Sequence, residues 1–144
     1  MQIKSMTEED LDQVSLLERE TFANPWGKEE IRKACCHEQN IYLTAREDGV
    51  VAGYCGVWCS VDQADLCQIA VAPEWRRQGV ATALLQRVAE ECRHRQVKQL
   101  LLEVRMSNTA AVCFYEKEHF DTIYIRKGYY RDPVEDARIM QLSL

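Results

Sequence analysis

Apolar residues along this chain switch repeatedly between strand-like and helix-like spacing. Ile3 opens a short strand. Thr7 stands where a helix cap would, with Asp10 three positions on as a weak form of the capping box, and Leu11, Val14 and Leu17 fall on one helical face. The segment Phe22-Ala23-Asn24-Pro25-Trp26-Gly27 breaks that helix, and a second is predicted over about residues 28 to 38. Ile41 to Arg46 and Val50 to Ser60 read as strands joined at Glu47-Asp48-Gly49 by a hairpin turn. Leu66 to Val71 is the third strand of this meander, stopped at Ala72-Pro73-Glu74. Val80, Ala81, Leu84, Leu85, Val88, Ala89 and Cys92 carry the 3.6-residue period of a long amphipathic helix running to about Arg95. An apolar strand, Leu100 to Val104, follows, then a helix opened by Asn108 or Thr109 and ending near Lys117. Phe120 to Lys127 and Ala137 to Leu142 close the chain as strands. The pattern predicts one α/β domain over residues 1–144, a mixed sheet with helices on both faces.

Composition narrows the classes of function. The 144 residues suit one domain with an adequate core. With 18 Lys and Arg against 23 Asp and Glu, the net charge of -5 argues against a protein that grips nucleic acid through counterion release. No apolar run approaches the ~20 residues of a membrane span. The opening MQIKSMTEEDLDQ turns acidic where a signal peptide would be apolar, so a cytoplasmic location is expected. The seven cysteines are odd in number and lack CxxC spacing, which predicts reduced, buried thiols. Cys55 and Cys59 share one face of a strand, but no partner histidine follows, and His37, His94 and His119 are scattered; no metal site is expected.

Three segments could carry chemistry. In Val71-Ala72-Pro73-Glu74-Trp75-Arg76-Arg77-Gln78-Gly79-Val80-Ala81 a strand ends, a basic turn follows and a long helix begins. The first N–H groups of that helix lack intrahelical partners and can hold an anion, with phosphate the natural one. Gly79 permits close approach, and Arg76 and Arg77 add charge; the alternative is a tight turn with a solvated basic pair. Neither a Walker loop nor GxGxxG is present. The second segment is Leu100-Leu101-Leu102-Glu103-Val104, whose single acid is a candidate general base. Burial would raise its pKa towards neutrality; the alternative is a strand-end acid paired to Arg105. The third is Tyr115, a candidate proton donor or a packing residue, on a helix that Asn108 could cap.

Together these segments resemble the GNAT superfamily of acetyl-CoA-dependent N-acetyltransferases, whose pyrophosphate motif Arg76-Arg77-Gln78-Gly79-Val80-Ala81 matches. Phe22-x-x-Pro25-Trp26, Ile69-Ala70-Val71, Leu102-Glu103-Val104-Arg105, Asn108, Tyr115-Glu116, Arg126-x-x-Tyr129-Tyr130 and Glu135-Asp136-Ala137 extend the likeness over the chain, to the bacterial ribosomal-protein-alanine N-acetyltransferases. The resemblance implies acetyl-CoA as co-substrate. The backbone of Ile69, Ala70 and Val71 would line its pantetheine arm, residues 77–81 would hold its pyrophosphate, and Asn108 would lie beside it. It implies Glu103 as general base, directly or through water, and Tyr115 as general acid. Trp26, Tyr129 and Tyr130 would line a groove for the N-terminus of a small-subunit ribosomal protein beginning Ala-Arg, with Glu135 and Asp136 as acidic neighbours.

The chemistry is consistent, because an α-amine with a reference pKa of about 8 is easier to deprotonate than lysine, near 10.4. Direct transfer needs no cysteine, so Cys113 reads as a packing residue. Two positions depart from the family pattern. His119 replaces the usual glycine after the Tyr115 helix, and Ala81 stands at the motif's last position. The competing functions are an acetyltransferase for a lysine, polyamine or small amine, and a silent acetyl-CoA-binding module. A structural or nucleic-acid-binding role would leave the acid within the apolar strand unexplained.

Overall fold

A computed structural model describes residues 1–144. Seven strands form one sheet: β1 (Gln2–Ser5), β2 (Ile41–Glu47), β3 (Val50–Cys59), β4 (Gln63–Val71), β5 (Gln99–Arg105), β6 (Asp121–Tyr130) and β7 (Glu135–Ser143). Their order is β1-β2-β3-β4-β5-β7-β6, and every pair is antiparallel except β4 with β5. The helices are α1 (Leu11–Thr21), α2 (Lys28–Cys36), α3 (Val80–His94) and α4 (Thr109–Lys117).

The predicted mixed sheet with helices on both faces is what forms. On one face α3 and α4 cover a core that includes Leu43, Cys55, Val57, Leu84, Leu85, Val88, Leu100, Leu102 and Met140. On the other, α1 and α2 cover Tyr42, Val51, Tyr54 and Ala70. Of the predicted α3 face, Val80, Leu84, Leu85, Val88, Ala89 and Cys92 are buried and Ala81 is half-buried at the cleft, each large buried apolar side chain contributing ~1.5–3 kcal/mol. Asp48 and Gly49 both take positive φ, as a two-residue hairpin turn requires.

Several boundaries differ from the sequence expectation. Glu8–Asp10 forms a 3-10 turn before α1 rather than its first α-helical turn. Its Asp10 carboxylate accepts the Thr7 N–H at 2.9 Å, half of the expected box, and pairs with Arg46. β4 begins three residues early, because Gln63 to Asp65 pair with β5 and Ala64 and Asp65 also pair with β3. β6 runs on to Tyr130, since Asp136 accepts the Gly128 N–H at 2.9 Å and carries the chain across an irregular stretch of ladder. All seven cysteines are free, but only Cys55 and Cys92 are buried; Cys36, Cys67 and Cys113 are exposed because they fall on solvent faces of their elements.

α4 ends in a Schellman motif. The Phe120 N–H reaches Tyr115 O and the His119 N–H reaches Glu116 O, both at 3.0 Å, and the Phe120 and Tyr115 rings pack at 5.5 Å. His119 occupies the left-handed position at φ 75, which costs a non-glycine residue ~1–2 kcal/mol. His119 is exposed. His119→Gly should therefore stabilise the protein by about 1 kcal/mol, after the unfolded-state entropy of glycine is set against the relieved strain. Thermal unfolding should show a Tm rise of about 3 °C; an unchanged or lower Tm would remove the strain argument.

Candidate active site

The anion-binding segment folds as a cradle. After β4 the chain makes a 3-10 turn, Pro73–Trp75, and Arg76 Nε donates to Val71 O at 3.1 Å, tying the turn back to the strand end. Arg77 and Gly79 take positive φ, 62 and 79, and Gly79 caps α3. No N–H from Arg77 to Thr82 has an acceptor within the protein; the first helical bond runs from Ala83 N to Gly79 O at 3.0 Å. Six consecutive donors at a helix N-terminus, beside two exposed arginines, suit a diphosphate. Gln78 turns back, its Nε2 donating to Glu74 O at 3.1 Å, so it offers this cradle its backbone only.

A break in the sheet lies next to the cradle. β4 and β5 pair only at Gln63–Gln99, Ala64–Leu100 and Asp65–Leu101, then part. Cys67 is an extra residue in β4, bulged where Gly56 pairs with Gln68 and Val57 with Leu66. The parted strands open a cleft of about 830 Å³ lined by Leu66 to Val71 of β4, Leu102 to Arg105 of β5, the cradle, and Asn108, Phe114 and Tyr115. Ile69, Ala70, Val71, Arg76, Arg77, Gly79, Val80, Ala81, Glu103, Asn108, Tyr115 and Tyr130 all line it. Asn108 serves two ends: its Oδ1 caps α4 by accepting the Ala111 N–H at 3.2 Å, and it borders the cleft.

Glu103 and Tyr115 reach this cleft from opposite faces of the sheet. Leu102 and Val104 point into the core beneath α3 and α4, so Glu103 between them projects from the other face. It is exposed there, not buried as the surrounding leucines suggested, because no helix covers that part of the sheet. Nor does it pair with Arg105, whose guanidinium is held by Glu135 at 3.2 Å and lies 4.3 Å over the Tyr130 ring. Glu103 faces phenols instead. Hydrogen bonding to it raises the Tyr129 pKa, and burial, then the Glu103 charge, push Tyr130 up to about 12. Tyr115 is 8% exposed, packed between Phe114 and Phe120 on the α4 side. Its hydroxyl has no partner within the protein, and burial pushes the phenol well above its ordinary value. Both roles foreseen for Tyr115, packing and cleft lining, therefore coexist.

Five of the anticipated residues lie outside the cleft lining: Gln78, Trp26, Tyr129, Glu135 and Asp136. Trp26 stacks edge-on with Trp58 at 5.8 Å and borders a second cavity of about 680 Å³, which also includes Asp65. Glu135 is not available to a basic peptide. It accepts the Ser107 N–H at 2.6 Å and pairs with Arg105; these contacts hold its carboxyl below the usual range and brace the turn into α4. Asp136 is likewise committed, to Gly128 N and Lys127. Sequence reasoning passed over Phe22, Gln68 and Trp75, which line the cleft from α1–α2, β4 and the 3-10 turn. Only Phe22 carried a local signal, as part of the Pro-Trp segment.

Comparisons with known proteins bear on the family and the fold. Residues 11–120 match the model of the acetyltransferase (GNAT) family. The Escherichia coli (strain K12) ribosomal protein bS18-alanine N-acetyltransferase is 35% identical over 144 residues, covering 99% of this chain and 97% of that protein. A Bacillus subtilis (strain 168) protein provisionally named for the same reaction is 36% identical over 143 residues, covering 99% and 95%. The crystal structure of the E. coli ribosomal-protein-S18-alanine N-acetyltransferase superposes with a TM-score of 0.89, over 99% of this chain and 92% of that one. Arabidopsis thaliana NAA60 in complex with acetyl-CoA shares the fold at a TM-score of 0.90 with 15% identity, over 99% of each chain. This chain therefore belongs to the GNAT acetyltransferase family, among its ribosomal-protein-alanine N-acetyltransferases.

Proposed function

We propose that the protein transfers an acetyl group from acetyl-CoA to the α-amine of the N-terminal alanine of ribosomal protein bS18, in a ternary complex in the cytoplasm. The observation that carries this is the placement of Glu103 and Tyr115 on opposite faces of the sheet, both bordering the one gap between β4 and β5. The identity to the E. coli enzyme over nearly the whole chain supports the acceptor.

The residues present fit acetyl-CoA. The free N–H groups from Arg77 to Thr82 match a pyrophosphate, and the unpaired edge of β4 matches an extended amide-bearing arm. When bound, acetyl-CoA supplies a thioester whose carbonyl carbon is attacked by the amine, with coenzyme A leaving as the thiol. Glu103, exposed on the acceptor face, takes the proton that the α-ammonium must lose, directly or through one water. A solvated carboxylate is adequate for this, because an amine of reference pKa about 8 is already partly neutral at pH 7. Tyr115 stays protonated throughout the working range and presents its hydroxyl as hydrogen-bond donor and acid to the departing sulfur. The packed Tyr115 ring and the Schellman turn fix that hydroxyl in advance. Tyr129 and Tyr130 flank Glu103 and shape the acceptor's approach.

A peptide panel tests the assignment: Ala-Arg-, Ala-Glu-, Ser-Arg- and Met-Leu-starting peptides, an N-terminally blocked peptide with an internal lysine, and spermidine. Thiol release and product mass should show α-acetylation of the Ala-Arg peptide above all others. Preference for spermidine or the internal lysine would overturn the acceptor while leaving the family intact, and binding without turnover would make the protein a silent module. The cradle makes a separate prediction. A side chain at Gly79 meets no protein atom within 4 Å but must adopt φ 79 and project from the cradle. Gly79→Val should weaken acetyl-CoA binding by about tenfold or more, equivalent to ~1.4 kcal/mol, by calorimetric titration. An unchanged Kd would place the pyrophosphate elsewhere.

A further inference from the structure

One buried carboxylate has no part in this chemistry. Glu18 of α1 is 2% exposed, on the apolar face shared with Leu11 and Val14. Its Oε2 accepts the Trp26 N–H at 2.9 Å, and its Oε1 accepts the Tyr54 hydroxyl. Gln68 of β4, 5% exposed, lies against the same carboxylate and offsets part of the pKa increase that burial imposes on it. Gln68 Nε2 has no hydrogen-bond partner, whereas its Oε1 accepts the Tyr42 hydroxyl at 2.9 Å. The Tyr42 oxygen in turn accepts the Trp58 indole N–H at 3.0 Å. Trp58 meets Trp26 edge-on, and the circuit closes on Glu18 again. Gly56 makes room for it: a Cβ there would stand 2.3 Å from the Tyr42 ring.

This circuit joins the two sides of the reaction. Gln68 lines the cleft along β4. Trp58 is paired with Asp65 and Asp65 with Leu101, a row across the sheet on the face from which Glu103 projects two residues further along β5. Packing alone does not call for a carboxylate here, since an apolar side chain of similar volume fills such a site at lower desolvation cost. We propose that Glu18 is a positioning residue for the acceptor: it anchors the Trp26 backbone directly and packs against Gln68, which Tyr42 links to Trp58, holding the aromatic wall on the Glu103 face in register with the cofactor strand. This rests on the N-terminal acetyltransferase function proposed above. Trp58 is 43% exposed, and its indole N–H bond to Tyr42 together with its edge-on contact with Trp26 holds the ring against the sheet.

The test varies peptide and acetyl-CoA separately for Tyr42→Phe and Glu18→Gln. Tyr42→Phe removes only the hydroxyl that bridges Gln68 and Trp58; it keeps the ring and remains informative should Glu18→Gln fold poorly. The KM for the Ala-Arg peptide should rise about tenfold, the equivalent of one hydrogen bond's ~1.4 kcal/mol. The KM for acetyl-CoA and kcat should stay within about twofold of wild type, and the near-ultraviolet dichroism of the tryptophan pair should change. A purely structural role would lower the amount of active enzyme and leave both KM values alone. An unchanged peptide KM in folded Tyr42→Phe, or an equal rise in both KM values, overturns the proposal. A wild-type enzyme that ignores the peptide overturns the proposed function first, and this inference with it.

Discussion

Glu103→Gln should lower kcat/KM for an Ala-Arg peptide at pH 7 by about 10²- to 10⁴-fold, the usual range for loss of a general base. The substitution keeps the side chain's size at an exposed position, so folding and acetyl-CoA affinity should be unchanged. The diagnostic is pH. At pH 7 only about a tenth of an α-amine with a reference pKa near 8 is neutral, whereas above pH 9 nearly all of it is. The deficit of the variant should therefore shrink by about tenfold between pH 7 and pH 9.5, measured as the ratio of wild-type to variant kcat/KM. A deficit that stays constant across that range would mean that Glu103 orients the acceptor and moves no proton.

Tyr115→Phe should cost about 10²-fold in kcat, at the lower end for a general acid. The hydroxyl has no hydrogen-bond partner in the protein, whereas the ring packs against Phe114 and Phe120, which phenylalanine preserves. The Tm should therefore stay within about 1 °C of wild type, far less than a core truncation would cost. Burial raises the Tyr115 pKa above its ordinary value, so the group stays protonated up to at least pH 10, and the deficit should not vary with pH. This separates it from the Glu103 variant. A large loss of Tm would instead assign Tyr115 to the core, and unchanged turnover would give the departing sulfur another donor.

The parts of this site that were legible in the sequence are those made by consecutive residues. The cradle from Arg76 to Ala81 announces itself because a strand end, a glycine and a 3.6-residue period stand side by side. His119 at a left-handed position was foreseen for the same reason: a helix terminus is a local event. The errors concern what comes from a distance. For Glu103 the sequence leaves open a buried base and an acid paired to Arg105, because its neighbours in the chain are apolar; it is neither, since those neighbours face α3 and α4 while its own face is bare. Glu135 reads as a free acid because nothing near it in sequence shows that Arg105 and Ser107 will claim it. Glu18 was passed over; its one signal is its spacing, four residues after Val14 and seven after Leu11, on the apolar side.

The short pairing of β4 with β5 also has a mechanical consequence. In the ladder, three residue pairs at one end join the leaf made of β1 to β4 to the leaf made of β5, β7 and β6; the rest of the join is the common core beneath α3 and α4. Beyond them the two leaves expose facing rows of ladder positions with nothing between, an internal edge of the kind that most sheets keep paired. An extended ligand lying there takes the place of a missing strand and fastens one leaf to the other. In the binding mode proposed above, acetyl-CoA adds such ladder bonds between the leaves while it stays, and product release leaves the three pairs and the shared core to hold them.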